Sequence, residues 1–97
     1  MIRTFADRGT ADVFHGRNTK DARRHLPADL WPVARRKLDR LHAATALGDL
    51  RDPPGNRLEP LAGDLEGLHS IRINDQFRIV FRFASGHATD VGIVDYH

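Results

Sequence analysis

The chain of 97 residues closes on Asp95-Tyr96-His97. Imidazole exchanges protons near neutral pH. The phenol is both donor and acceptor, and a carboxylate can orient either. The triplet follows an apolar, β-like run from Val91 to Val94. A sheet would therefore anchor it where chain ends ordinarily fray. It reads as half of an acid–base site. The other half has to hold negative charge, and arginine suits that task because its guanidinium contacts phosphate in a bidentate way.

The strand-like runs upstream supply such arginines. Phe77, Ile79, Phe81 and Phe83 alternate with Arg78, Val80 and Arg82. Alternate residues of a strand face opposite sides of its sheet. In the preceding run Ile71 and Ile73 share one parity, Ser70 and Arg72 the other. The apolar set is expected to pack on helices, and the other face to display Arg72, Arg78 and Arg82 together. Polar faces of antiparallel sheets are common, so arginines there also fit a plain solvated surface. In the last run both parities are apolar, which leaves open whether Tyr96 or His97 joins the arginine face.

The elements that must position these groups are legible in outline. Ile2 to Phe5 reads as a short edge strand, and Thr10 to His15 as a short helix with Val13 and Phe14 facing inward. Gly16 to Pro27 is polar and basic and reads as a loop. Leu30, Ala34, Leu38, Leu41 and Thr45 keep the helical period from about Asp29 to Ala46. Asp29 would be the N-cap, Pro32 would lie in the first turn, and Gly48 would stop the helix. After the turn cluster Pro53-Pro54-Gly55-Asn56 come short runs: Arg57 to Leu61, His69 to Ile73, Gln76 to Phe83 and Thr89 to Tyr96. Gly63 to Gly67, Asn74-Asp75 and Ser85-Gly86-His87 join them, and turns that short force antiparallel neighbours. The expected class is α+β: a short N-terminal strand and two helices packed on one face of a small antiparallel β-sheet.

Composition bounds the function. The length suits one domain, residues 1–97. With no cysteine there is neither a disulfide nor a thiolate metal site. No run is long and apolar enough for a membrane span, and MIRTFADRG has no signal-peptide core, so no membrane role and a cytoplasmic location are expected. The net charge is only +2, but arginine dominates the basic residues, which points to a polyanion such as nucleic acid.

The run Pro54-Gly55-Asn56-Arg57-Leu58-Glu59-Pro60-Leu61-Ala62-Gly63-Asp64, then His69-Ser70-Ile71-Arg72-Ile73-Asn74-Asp75-Gln76-Phe77-Arg78-Ile79, and the terminal Asp95-Tyr96-His97 resemble the HigB toxins. These plasmid maintenance killer proteins belong to the RelE superfamily of type II toxin–antitoxin systems. Met1 to Phe5 and the leucine-rich helix match too, so the resemblance spans essentially the whole chain. It implies a ribosome-dependent mRNA endoribonuclease that cuts in the ribosomal A site. It also implies a HigA-like helix-turn-helix antitoxin as partner, with operator DNA reached only through that antitoxin.

The resemblance assigns roles. Arg78 matches the charge-stabilising arginine. His97 matches the proton-transfer residue, here as general acid. Tyr96 would stack on a base or move a proton, and Asp95 would orient its neighbours or act as an auxiliary base. Strand parity, rather than the resemblance, makes Arg72 and Arg82 the candidates for RNA binding. Two departures stand out. Ala62, in LAGD, occupies a place where the family often has lysine. Glu59 occupies a place where some members have histidine, and it becomes the candidate general base because related toxins use a glutamate upstream of the arginine. His15, His25, His42, His69 and His87 show no paired metal-ligand spacing and are read as structural or surface residues, so neither metal nor cofactor is expected. The missing lysine keeps two alternatives open: a catalytically weak module acting mainly as antitoxin partner or co-regulator, and a ribosome inhibitor that does not cut.

Overall fold

The computed structural model describes residues 1–95. Strands β1 (Glu59–Pro60), β2 (His69–Arg72), β3 (Phe77–Ala84) and β4 (His87–Asp95) form an antiparallel sheet in that spatial order. The expected meander is present, although β1 is shorter than the run Arg57 to Leu61. Asn74 closes the β2–β3 turn, its Oδ1 accepting from the N–H groups of Gln76 (2.9 Å) and Phe77 (2.7 Å). Ser85 and Gly86 take the left-handed conformation that a two-residue hairpin turn requires (φ 53° and 77°).

Helices α1 (Arg8–His15), α2 (Lys20–His25) and α3 (Trp31–Ala43) pack on one face of the sheet. Val13, Ala22, Leu26, Ala34, Leu38 and Leu41 meet Ile71, Phe77, Ile79, Phe81, Val91 and Ile93 in one buried cluster. Phe83 and Phe14 only half bury, because each sits at the margin of that cluster. The strand parity inferred for β3 is therefore the parity observed.

Helix α2 lies inside the segment expected to be a loop. It shows no apolar periodicity because it is one and a half turns long and buries only Ala22. Its start is set instead by Thr19, whose hydroxyl accepts from the Ala22 N–H (3.1 Å) and donates to the buried Asp12 of α1 (2.6 Å). Gly9 lets the two helices touch: a Cβ there would stand 2.7 Å from both the Asp21 carbonyl oxygen and the His25 Cβ.

The limits of α3 also differ from expectation. A 3₁₀ turn, Ala28–Leu30, leads into it, so Leu30 rather than Asp29 is the N-cap, and Pro32 does fall in the first turn. The helix ends at Ala43, well before Gly48. The Asp49 carboxylate takes the N–H groups of Thr45 and Ala46 (3.1 Å each), which a continuing helix would have bonded to its own carbonyls.

Ile2 and Phe5 do not form a strand of their own. They make isolated parallel bridges to Ala88 and Val91 along the outer edge of β4. The alternating bonds Arg3 N–H to Ala88 O, Ala88 N–H to Met1 O, Ala6 N–H to Val91 O and Val91 N–H to Thr4 O occupy that edge. Asp90 at φ 53° marks a bulge that shifts the β3–β4 register between Val80 and Arg82, so Ala88 and Val91 both turn inward.

Candidate active site

Arg78 lies on the sheet face away from the helices, but it is not displayed to solvent as the alternation suggested. Its side chain is 11% exposed. Parity decides which face a residue takes and says nothing of what covers it. The cover is the loop before β1. After the 3₁₀ turn Pro54–Asn56, Arg57 adopts a left-handed conformation (φ 46°) and points its carbonyl oxygen at Arg78, whose Nη2 donates to it at 2.7 Å. Nε donates to Ser70 Oγ at 2.8 Å. Nη2 also stands 3.5 Å from Glu59 Oε1.

The register explains this convergence. Glu59 of β1 faces Ser70 of β2, and Arg72 of β2 faces Arg78 of β3, so Ser70 and Arg78 are diagonal neighbours on one face. Ser70 is fully buried. It was not singled out from sequence as a site residue; the signal was its parity with Arg72 beside the Arg78 run. Among the described residues two neutral oxygens orient the guanidinium, and a half-exposed carboxylate (Glu59, 47%) stands beside it. A fixed cation next to an accessible carboxylate can hold an anion and accept a proton within one small area.

The other two arginines are not gathered with Arg78 into a uniform row. Arg72 is directly cross-strand from Arg78, but its Nη2 pairs with Asp75 in the β2–β3 turn. Arg82 is four residues along β3, roughly 13 Å away at the usual strand rise, where it pairs with Asp90 (3.4 Å) and lies against Gly67. Ala62 is exposed at the start of the 3₁₀ turn Gly63–Leu65.

Asp95 ends β4 opposite Phe77, and its Oδ2 accepts from Gln76 Nε2 at 3.0 Å. Val94, its neighbour in β4, is the cross-strand partner of Arg78. Tyr96 and His97 lie outside the described residues. The strand leading to them is firmly held. The Ile93 N–H donates to the buried hydroxyl of Thr10 (2.9 Å), and the Ile93 carbonyl accepts from His25 Nε2 (2.5 Å). Asp7 ties both helices to this clamp: Oδ2 accepts from the Thr10 hydroxyl (3.0 Å) and stands 3.3 Å from His25 Nε2. Gly92 admits the N-terminal segment, since a Cβ there would stand 3.2 Å from the Ala6 Cβ.

The remaining histidines have structural surroundings. His42 Nδ1 accepts the Ile2 N–H (3.1 Å), His15 packs edge-on against Phe5 and Phe14, and His69 stacks on Phe81. His87 Nε2 lies 3.0 Å from Arg3. Among the described residues no three His, Asp or Glu side chains converge into a metal-ligand set, and no helix is long and apolar enough to cross a membrane.

Comparison with known proteins adds a consistent pattern. Residues 3–97 match the family described as HigB, the RelE-like toxin of type II toxin–antitoxin systems. Toxin HigB-1 of Vibrio cholerae is 46% identical over 71 residues, which cover 71% of this chain and 75% of that protein. Endoribonuclease HigB of Proteus vulgaris is 32% identical over 97 residues, covering 100% of each. A solved YoeB/ParE toxin from Agrobacterium tumefaciens superposes with a TM-score of 0.56 at 19% identity, over 100% of both chains, and shares the fold.

Proposed function

This chain belongs to the HigB family of RelE-like toxins of type II toxin–antitoxin systems, and from that premise we propose that it is an endoribonuclease that cuts messenger RNA on the ribosome and thereby stops translation. The observation that carries this reading is the arrangement of Arg78. A nearly buried guanidinium, oriented by Ser70 and the Arg57 carbonyl, stands beside the accessible carboxylate of Glu59. The protein from Proteus vulgaris, matched along its whole length, is named an endoribonuclease.

The reaction needs no metal or cofactor in this proposal. The ribose 2′-oxygen attacks the adjacent phosphorus while Glu59 takes its proton. Arg78 stabilises the charge of the phosphorane. The bond to the 5′-oxygen breaks as His97 donates a proton to it, leaving a 2′,3′-cyclic phosphate and a free 5′-hydroxyl. Tyr96 stacks on a base or relays a proton, and Asp95 orients the pair. Positioned proton transfer contributes about 10²–10⁴-fold for each participant, and loss of one charge-stabilising donor costs about 10²–10³-fold. Residues 1–97 act as a single toxin domain. The partners are the ribosomal A site with its mRNA and a HigA-like helix-turn-helix antitoxin, which alone meets operator DNA. The site of action is the cytoplasm.

One observation favours a second reading. Ala62 brings no charge to the edge of the site, which suits a module that has lost efficient catalysis, or an inhibitor that stalls ribosomes without cutting. Controlled expression in a bacterium with primer-extension mapping of transcript ends separates the three. The expected result is growth arrest with new 5′ ends inside coding regions. Arrest without new ends establishes the non-cleaving inhibitor, and absence of arrest establishes the binding module; either outcome sinks the proposal.

A further inference from the structure

Away from Arg78, a cleft of about 200 Å³ opens between α3 and the turn Pro54–Asn56. Its lining is Val33, Arg36, Lys37, Arg40, Pro53 and Asn56. The four helical residues have the spacing i, i+3, i+4, i+7, so they form one stripe of α3 aimed at the turn. Three of the four are cations. None of them is paired with a carboxylate among the described residues. The chain's net charge is only +2, so this concentration is local.

The floor of the cleft is rigid. Asn56 is buried, and its amide donates to the carbonyls of Leu50 (3.2 Å) and Asp52 (3.1 Å) while its oxygen accepts from Lys37 Nζ. Partial burial lowers the Lys37 pKa from its ordinary value, and the positive charges of Arg72, Arg40 and Arg36 lower it further. Like charges held together without a counter-ion destabilise one another until an anion arrives. Arg72, whose charge reaches Lys37, is the cross-strand partner of Arg78. The next residue after Asn56 is Arg57, whose carbonyl holds Arg78. The cleft and the Arg78 cluster thus share one connecting loop and one flanking cation.

We propose that this cleft is a phosphate subsite for the substrate RNA strand, taking a backbone phosphodiester that flanks the one at Arg78. The inference rests on the endoribonuclease reading and extends it to how the strand is held. Two guanidinium forks and an ammonium suit phosphate oxygens. Continuity with Arg72 and Arg78 favours RNA over an acidic segment of a protein partner, which would have no need of that continuity.

The test uses a fluorescent oligoribonucleotide made uncleavable by 2′-O-methylation, so binding is read without cleavage. Full-length protein is compared with the triple variant Arg36→Gln/Lys37→Gln/Arg40→Gln over a range of salt concentrations. The Kd is expected to rise at least tenfold, regardless of sequence. The slope of log K against log salt should flatten by about 0.7 for each phosphate no longer neutralised on a single strand. Arg8→Gln/Lys20→Gln/Arg24→Gln removes the same charge from exposed sites elsewhere and should leave Kd within about twofold. Equal weakening by both triples, or no weakening by the first, overturns the proposal. Arg36→Gln/Arg40→Gln keeps the Lys37–Asn56 bond and gives the same reading if the triple variant fails to fold. Loss confined to ribosome co-sedimentation assigns the cleft to ribosomal RNA, and loss confined to antitoxin capture assigns it to an acidic peptide; each overturns the proposal. A wild-type chain that binds RNA through the cleft and yet cuts none refutes the nuclease reading alone.

Discussion

Replacing Thr10 by valine tests how the end of β4 is held. The substitution keeps the shape of the side chain and removes one oxygen. That oxygen accepts the Ile93 N–H at 2.9 Å and donates to Asp7 Oδ2 at 3.0 Å, in a residue with no exposed surface. The Thr10 N–H bond to Asp7 Oδ1 survives, so the start of α1 stays capped. What remains is a buried backbone N–H with no acceptor, which costs about 1–3 kcal/mol. For a domain of this length each kcal/mol moves Tm by roughly 4–8 °C, so a loss near 2 kcal/mol lowers Tm by about 8–16 °C. The same loss, where it opens the strand locally, speeds exchange of the Ile93 amide roughly 30-fold. Thermal unfolding followed by circular dichroism and amide exchange followed by NMR measure the two effects. Cleavage should fall as well, because β4 carries the chain into Asp95-Tyr96-His97, while binding of uncleavable RNA persists. A Tm within about 2 °C of wild type together with unchanged Ile93 protection would refute the reasoning, since water would then be satisfying that N–H.

Two further outcomes follow from the proposed chemistry. Glu59→Gln keeps the size of the side chain and removes the base beside Arg78, so cleavage should fall about 10²-fold or more with the fold intact; unchanged cleavage by purified toxin on programmed ribosomes removes Glu59 from the mechanism. Deleting Tyr96 and His97 should abolish cleavage and growth arrest while antitoxin capture continues, and toxicity that survives the deletion would falsify the role given to the tail.

The sheet was legible in the sequence because aromatic and aliphatic residues alternate with arginines along β3, although Phe77 to Phe81 are all buried, and because Asn74-Asp75 and Ser85-Gly86 leave no room for anything but hairpins. The apolar face of β3 followed directly. Three features escaped the pattern, each for a physical reason. Helix α2 is too short to show a period, and only Thr19 signals its start. The ambiguous parity of the last strand reflects Gly92, closely passed by Ala6, and Val94, an apolar residue on the face away from Val91 and Ile93, while the bulge at Asp90 puts Ala88 and Val91 on the same side despite odd spacing. The burial of Arg78 depends on Arg57, a residue 21 positions away whose left-handed backbone no local alternation encodes. The residues that orient Arg78 and clamp β4, namely Ser70, the Arg57 carbonyl, Thr10 and His25, were not legible, because each works through the backbone or through a neighbour in space.

The contrast between Arg78 and Arg72 bears on Ala62, which carries no charge. Arg78 is nearly buried and held by two neutral oxygens, so it cannot follow a moving phosphate; its value in the proposed reaction is that it is already in place when charge develops. Arg72 is held by Asp75, whose carboxylate is 99% exposed. With its carboxylate in solvent, even though Arg72 itself is half-buried, the pair is worth on the order of 1 kcal/mol, so Arg72 can exchange Asp75 for a phosphate oxygen at little cost. Among the described residues the site then has one fixed cation and one exchangeable cation on adjacent strands. On this argument Arg72→Gln weakens cleavage. Restoring that charge with Ala62→Lys should recover part of the loss in Arg72→Gln. Cleavage by the double variant no better than by Arg72→Gln alone would show that the two cations do not share a task.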